Sequence, residues 1–128
     1  MAHYLTVGKR DDFRSGNIQP VSIGGTEIAV ARVGDDFHAF SNECTHSHEW
    51  MSDGFISKND VICAYHDACF DLTTGEALSG PAFYPLPIYV VRVEGDEVQV
   101  EWPEAVPADQ IALVEHDEDE RFRRQFVI

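Results

Sequence analysis

The chain has 128 residues and a mass of 14.4 kDa, which makes one ordinary domain with room for a short appendage. At 44% hydrophobic and 25% charged it has the composition of a globular protein, not of a disordered or membrane-embedded one. Its 23 acids against 9 bases give a formal charge of −14. That excludes a nucleic-acid binder built on a basic face and opposes adhesion to anionic lipid, while a docking surface for a basic protein partner stays open.

Short strands separated by tight turns fill the first hundred residues. Residues 4–9 alternate, with Leu5 and Val7 on one face. Residues 18–23 are extended and run into Gly24-Gly25, a pair that can supply the positive φ of a two-residue hairpin, and 27–33 form the returning strand. Gly34-Asp35-Asp36 then turns the chain into 37–40, and 61–64 follow Lys58-Asn59-Asp60 as another strand. Residues 88–94 and 97–101 flank Gly95-Asp96 and predict a further hairpin. No stretch before position 103 has a helical period, so the expected fold class is all-β, a small antiparallel sandwich or barrel.

Two stretches, 41–53 and 64–74, break the strand rhythm and are expected as loops. Around them gather Cys44, His46, His48, Cys63, His66 and Cys69, which include all three cysteines of the chain. Residues 78–82 read as a Gly-Pro loop without chemistry of its own. From Pro103 the character changes: residues 1–102 hold 16 acids and 6 bases, residues 103–128 hold 7 and 3. Pro103 and Pro107 break regular pairing and 115–120 are acidic except at His116, so 103–128 read as an acidic linker or tail behind a domain of 1–102. Ile111, Leu113 and Val114 could pack back on that domain.

Three cysteines are too few for a disulfide framework. The first six residues lack a signal-peptide pattern, and no segment approaches the ~18 continuous apolar residues of a membrane span. The expectation is a cytoplasmic protein whose cysteines do chemistry or bind metal. Cys44-Thr45-His46 and Cys63-Ala64-Tyr65-His66 form C-x-H, 16 residues, then C-x-x-H. Zinc fingers usually group like ligands, whereas here each half offers one thiolate and one imidazole. That mixture suits a binuclear iron–sulfur cluster held between two loops, with a zinc-stabilised interaction module as the rival.

At these residues the sequence resembles the Rieske family. The first box, Cys44-Thr45-His46, is followed by Met51-Ser52-Asp53-Gly54, and the second is Cys63-Ala64-Tyr65-His66. Phe70, Thr74-Gly75 and Gly80-Pro81 sit where the family has its aromatic, its turn and its proline loop. The resemblance covers roughly residues 4–102. It implies a Rieske fold, a small cluster-binding subdomain on an antiparallel β base, and one [2Fe–2S] cluster with Cys44 and Cys63 on one iron and His46 and His66 on the other. Two positions depart from the family pattern: His48 and Asp67 stand where glycines are usual.

High-potential Rieske proteins of respiratory complexes carry an extra cysteine in each box, joined as a disulfide. Here the first box has none, so Cys69 is expected as a small buried hydrophobe. The respiratory type also places Ser and Tyr hydroxyls near the cluster, at positions that align with Ala68 and Phe70. Fewer hydrogen bonds to the cluster imply a potential at the low end of the Rieske range, about −150 mV.

A low-potential single-domain member resembles the ferredoxins that feed ring-hydroxylating oxygenases and the small subunit of assimilatory nitrite reductase. Residues 66–78 look most like the N-terminal Rieske module of fused FAD/NAD(P)H oxidoreductases related to apoptosis-inducing factor. With that likeness, residues 124–128 read as the opening strand of a Rossmann domain. The implied function is one-electron transfer from a flavin-dependent NAD(P)H reductase, fused or separate, with a terminal oxygenase as candidate acceptor. No catalytic acid, base or nucleophile is evident, and His3, His38 and His116 lack a partner motif.

Overall fold

The computed structural model describes residues 3–45, 50–63, 68–79 and 84–115. Its strands are, in chain order, β1 (His3–Lys9), β2 (Ile18–Ile23), β3 (Thr26–Val33), β4 (Asp36–Ser41), β5 (Phe55–Ser57) and β6 (Asp60–Ile62). Then come β7 (Cys69–Asp71), β8 (Ala77–Ser79), β9 (Ile88–Tyr89), β10 (Val91–Glu94), β11 (Glu97–Trp102) and β12 (Ile111–Leu113). Helical structure among the described residues is limited to three-residue 3-10 turns. The strands form three antiparallel sheets, ordered β1-β11-β10, β12-β2-β3-β4-β9 and β5-β6-β7-β8. The all-β expectation holds.

The β2–β3 hairpin turns through Gly24 and Gly25 at φ 55° and 90°, with Ile23 paired to Thr26. Positive φ at both central residues matches the twist of the flanking strands, and glycine reaches it without a steric penalty. The turn into β4 is one residue shorter than expected, because Asp36 already pairs with Val33.

β3 is buried on both faces. Side chains alternate along a strand, so Ile28 and Val30 enter one core with Leu5, Val7, Val21, Val98, Val100 and Trp102. Ala29 and Ala31 enter a second core with Met51, Val61, Phe70 and Leu86. β4 repeats the division, sending Ala39 into the first core and Phe40 into the second. The first core joins the five-stranded to the three-stranded sheet as a base. The second joins the same wall to the four-stranded sheet, and Cys44 and Cys63 lie in it.

Several sequence expectations change. Residues 88–94 are not one strand: β9 pairs with β4, while β10 pairs with β11 in the other sheet of the base. Val90 lies between them, its carbonyl still accepting from Glu101 N–H at 2.8 Å. Sheets packed face to face turn their corners with strands that switch sheets, and this segment is such a corner. Cys69 is not in a loop but begins β7, where Cys69 and Phe70 pair with Ile62 and Val61. Leu78 and Ser79, expected in the Gly-Pro loop, belong to β8. The segment after Pro103 does come back onto the domain, as the apolar character of Ile111 and Leu113 allowed, and does so as a strand, with Ile111, Ala112 and Leu113 pairing to Ile23, Ser22 and Val21. Gln19 Nε2 fastens it further by donating to Val114 O at 2.9 Å. Residues 116–128, with the expected Rossmann strand, lie outside the described residues.

Because Ile28 is fully buried at the centre of the base, Ile28→Ala is expected to destabilise the protein by about 2–5 kcal/mol. Equilibrium urea unfolding of the two proteins measures that difference.

Candidate metal centre

Each cysteine-bearing loop is tied at its base by main-chain hydrogen bonds. The first connects β4 to β5. Glu43 bridges Trp50 in antiparallel fashion, and Met51 N–H donates to Asn42 O at 2.7 Å. A 3-10 turn at Met51–Asp53 then delivers the chain to Gly54. A side chain at Gly54 would collide with the carbonyl oxygen of Ile62, so the loop can lie against β6 only if this residue is glycine. The second loop is the turn of the β6–β7 hairpin. Cys63 N–H donates to Ala68 O at 2.8 Å and closes it.

A third segment ties the first loop to the turn between β7 and β8. Tyr84 O accepts from the Thr45 hydroxyl at 2.9 Å, Leu86 N–H donates to Gly75 O at 2.7 Å, and Ser41 N–H donates to Pro87 O at 2.9 Å. Gly75 carries φ +77°, and a Cβ there would meet the carbonyl of Leu86. Both the backbone and the space require glycine at this crossing.

These ties bring Cys44 and Cys63 into one hydrocarbon core, 2% and 0% exposed. Their neighbours in that core are Phe40, Met51, Val61, Ala68, Phe70, Leu72 and Leu86. No disulfide joins any of the three cysteines. A thiolate charge in such surroundings is costly unless a cation neutralises it, and soft thiolates select zinc or iron–sulfur chemistry. Two thiol donors from separate loops in one buried hydrocarbon core therefore fit a cysteine-held metal group. The other two residues of the expected set, His46 and His66, lie outside the described residues, as do His48 and Asp67.

Cys69 stands apart from this pair. It is partly exposed, not buried as expected. Burial, and after it the Asp60 carboxylate, which hydrogen-bonds the sulfur, and Asp71, push its thiol above the usual range. It stays protonated near neutral pH, so it packs as a neutral side chain. Asp71 shapes the neighbouring turn: its Oδ1 accepts from Thr74 N–H at 3.0 Å and Thr73 N–H at 2.7 Å, which holds its carboxyl below the usual range. Sequence reading also missed Asn42, 1% exposed and the one buried polar residue among the described residues. A single asparagine has no spacing signature that would betray such a place.

A β base carrying two buried cysteines in the core on the far side of the wall from its three-stranded sheet is the framework of a small protein able to hold a cysteine-ligated metal group. Residues 3–90 match the family model of the Rieske [2Fe-2S] domain. The chain is 35% identical over 86 residues to the ferredoxin component of the naphthalene 1,2-dioxygenase system of Pseudomonas aeruginosa, covering 67% of this chain and 83% of that protein. It is 41% identical over 81 residues to the 3-phenylpropionate/cinnamic acid dioxygenase ferredoxin subunit of Escherichia coli K12, covering 62% and 76%. Its backbone superposes with a TM-score of 0.71 and 35% identity on a chain in the complex of reduced oxygenase and oxidized ferredoxin in carbazole 1,9a-dioxygenase, over 76% of this chain and 91% of that one. The chain belongs to the Rieske [2Fe–2S] domain family, and its cofactor is one cluster of that type.

Gly75→Ala is expected to cost about 2 kcal/mol or more, since it combines left-handed backbone strain with a carbonyl clash; denaturant unfolding reads it. The lowered Asp71 pKa contributes stability above the ordinary carboxylate range, and that contribution is lost as pH falls through the folded-state value. The stability gap between wild type and Asp71→Asn is therefore expected to be full near neutral pH and to close below about pH 3.9. Urea titrations across an acid pH series check it.

Proposed function

We propose that this chain is a low-potential one-electron carrier, passing electrons from a flavin-dependent NAD(P)H reductase to a terminal oxygenase. The observation that carries this reading is the pair of buried cysteines, Cys44 and Cys63, delivered by two loops to one dry core in a chain whose relatives are named ferredoxin components of dioxygenase systems. In this reading Cys44 and Cys63 give their thiolates to the inner iron, and His46 and His66 give imidazoles to the outer one. When bound, the cluster would supply a one-electron couple. The chain's own residues hold the sulfur side away from water and leave substrate chemistry to the partner. Residues 66–78, which resemble the fused oxidoreductase module, support a variant in which the donor flavin domain is joined to this chain.

The hydrocarbon around the cysteines supports the low potential. Hydrogen bonds to cluster sulfurs stabilise the reduced state and raise the potential. Ala68 and Phe70, both fully buried in the same core as the cysteines, offer no hydroxyl. The reading also places the protein in the cytoplasm, in keeping with a described chain in which no helix is long and apolar enough to cross a membrane.

The test is purification followed by iron, zinc and sulfide analysis, reduced-state EPR and a redox titration. The expected result is two irons and two labile sulfides per chain with a midpoint near about −150 mV, raised in Phe70→Tyr. Stoichiometric zinc without iron after anaerobic reconstitution would sink the cluster reading and favour the zinc module. A clearly positive midpoint would defeat the low-potential reading alone.

A further inference from the structure

The Asn42 side chain sits where three parts of the fold meet. Its Oδ1 accepts from Ser52 N–H at 2.8 Å, and its Nδ2 donates to Glu27 Oε2 on β3 at 2.6 Å. Its main-chain carbonyl accepts from Met51 N–H at 2.7 Å. Asn42 lies two residues before Cys44, while Met51 and Ser52 lie just beyond the loop's far end, so one residue closes both ends of the first cysteine loop. Glu27 then fixes the closed loop to the wall between the two cores.

The partners dictate the amide. Ser52 N–H can only donate, so an acceptor must face it, and the Glu27 carboxylate requires a donor. Asparagine supplies both from one short side chain. Aspartate has the same shape but would bring a second carboxylate against Glu27 in a site that is 1% exposed. Like charges at such range in a poorly solvated place repel strongly.

We propose that Asn42 is a positioning residue, an amide clasp that holds the two ends of the first cysteine loop together at its base and thereby slows release of the cluster. The inference rests on the electron-carrier reading and assigns to Glu27, far from any ligand in sequence, the role of the clasp's anchor. It makes a specific demand: exchanging the two chemistries should restore the clasp. In the double variant Glu27→Gln/Asn42→Asp, the glutamine amide donates to the aspartate and the other aspartate oxygen still accepts from Ser52 N–H.

The experiment follows bleaching of the visible absorbance of the holoprotein in excess chelator, without denaturant. It compares wild type, Glu27→Gln, Asn42→Asp and the double variant. Asn42→Asp is expected to bleach about tenfold faster or more, the scale of a lost charge-assisted hydrogen bond in a buried site. Glu27→Gln keeps an acceptor for the Asn42 amide and should stay close to wild type. The double variant should return to within about threefold of wild type, giving a strong coupling between the two positions.

Bleaching of Asn42→Asp at the wild-type rate overturns the proposal, and so does a double variant no slower than Asn42→Asp alone. If Asn42→Asp does not fold, the double variant decides: recovery of a folded, cluster-loaded protein supports the clasp, and its failure as well overturns it. Wild type that carries zinc instead of iron sinks the electron-carrier reading only. The same four proteins then score the clasp by zinc release to a chromophoric chelator.

Discussion

The molecule depends on one strand having to be covered on both sides. A β-strand presents alternate side chains to opposite faces, and β3 buries apolar residues on both. Ile28 and Val30 fill the base, while Ala29 and Ala31 face the cysteine core. The small alanines share that core with the larger Phe40, Met51 and Phe70. The three-stranded sheet closes one side of the wall and the four-stranded sheet closes the other. The metal-binding part is therefore a second layer on a shared wall, and its placement follows from the same strand that stabilises the base.

From that wall the loops inherit their positions. β4 leads into the first loop and β6 into the second, and segment 84–87 ties the first loop, at Thr45 and Ser41, to Gly75 in the turn between β7 and β8. Gly54 and Gly75 permit contacts that any side chain would block. The pocket so made is lined by hydrocarbon around two thiols. Such a lining favours a metal-neutralised thiolate pair over bare anions, and its Ala68 and Phe70 side chains carry no hydroxyl. The dryness of the core and the low potential proposed for the protein rest on the same side chains.

Much of the fold was legible locally. The β2–β3 hairpin announced itself through Gly24-Gly25, and β11 through its alternation and the Gly95-Asp96 turn. The three-residue strands β5, β7 and β8 did not, because one and a half periods of alternation cannot be distinguished from a loop. Cys69 and Phe70 become strand residues only because Ile62 and Val61 lie beside them. The division of 88–94 at Val90 was equally invisible, since both halves look extended and only their partners differ. β12 depends on an edge of β2 being open to a segment that follows two prolines.

At the candidate site the division is sharper. The sequence by itself determined the C-x-H and C-x-x-H pattern from which a metal site is expected, because these are short-range spacings carried by the chain whatever its path. It also carried the absence of hydroxyls at Ala68 and Phe70. Only the tertiary structure decided that both cysteines share one dry core, that Cys69 stands partly exposed on a strand beside Asp60, and that Asn42 meets Glu27 across 15 positions of sequence. Short-range spacing is written in covalent order. Burial, hydrogen-bond partners and the closure of a loop are relations between distant segments, and they exist only once the sheets have brought those segments together.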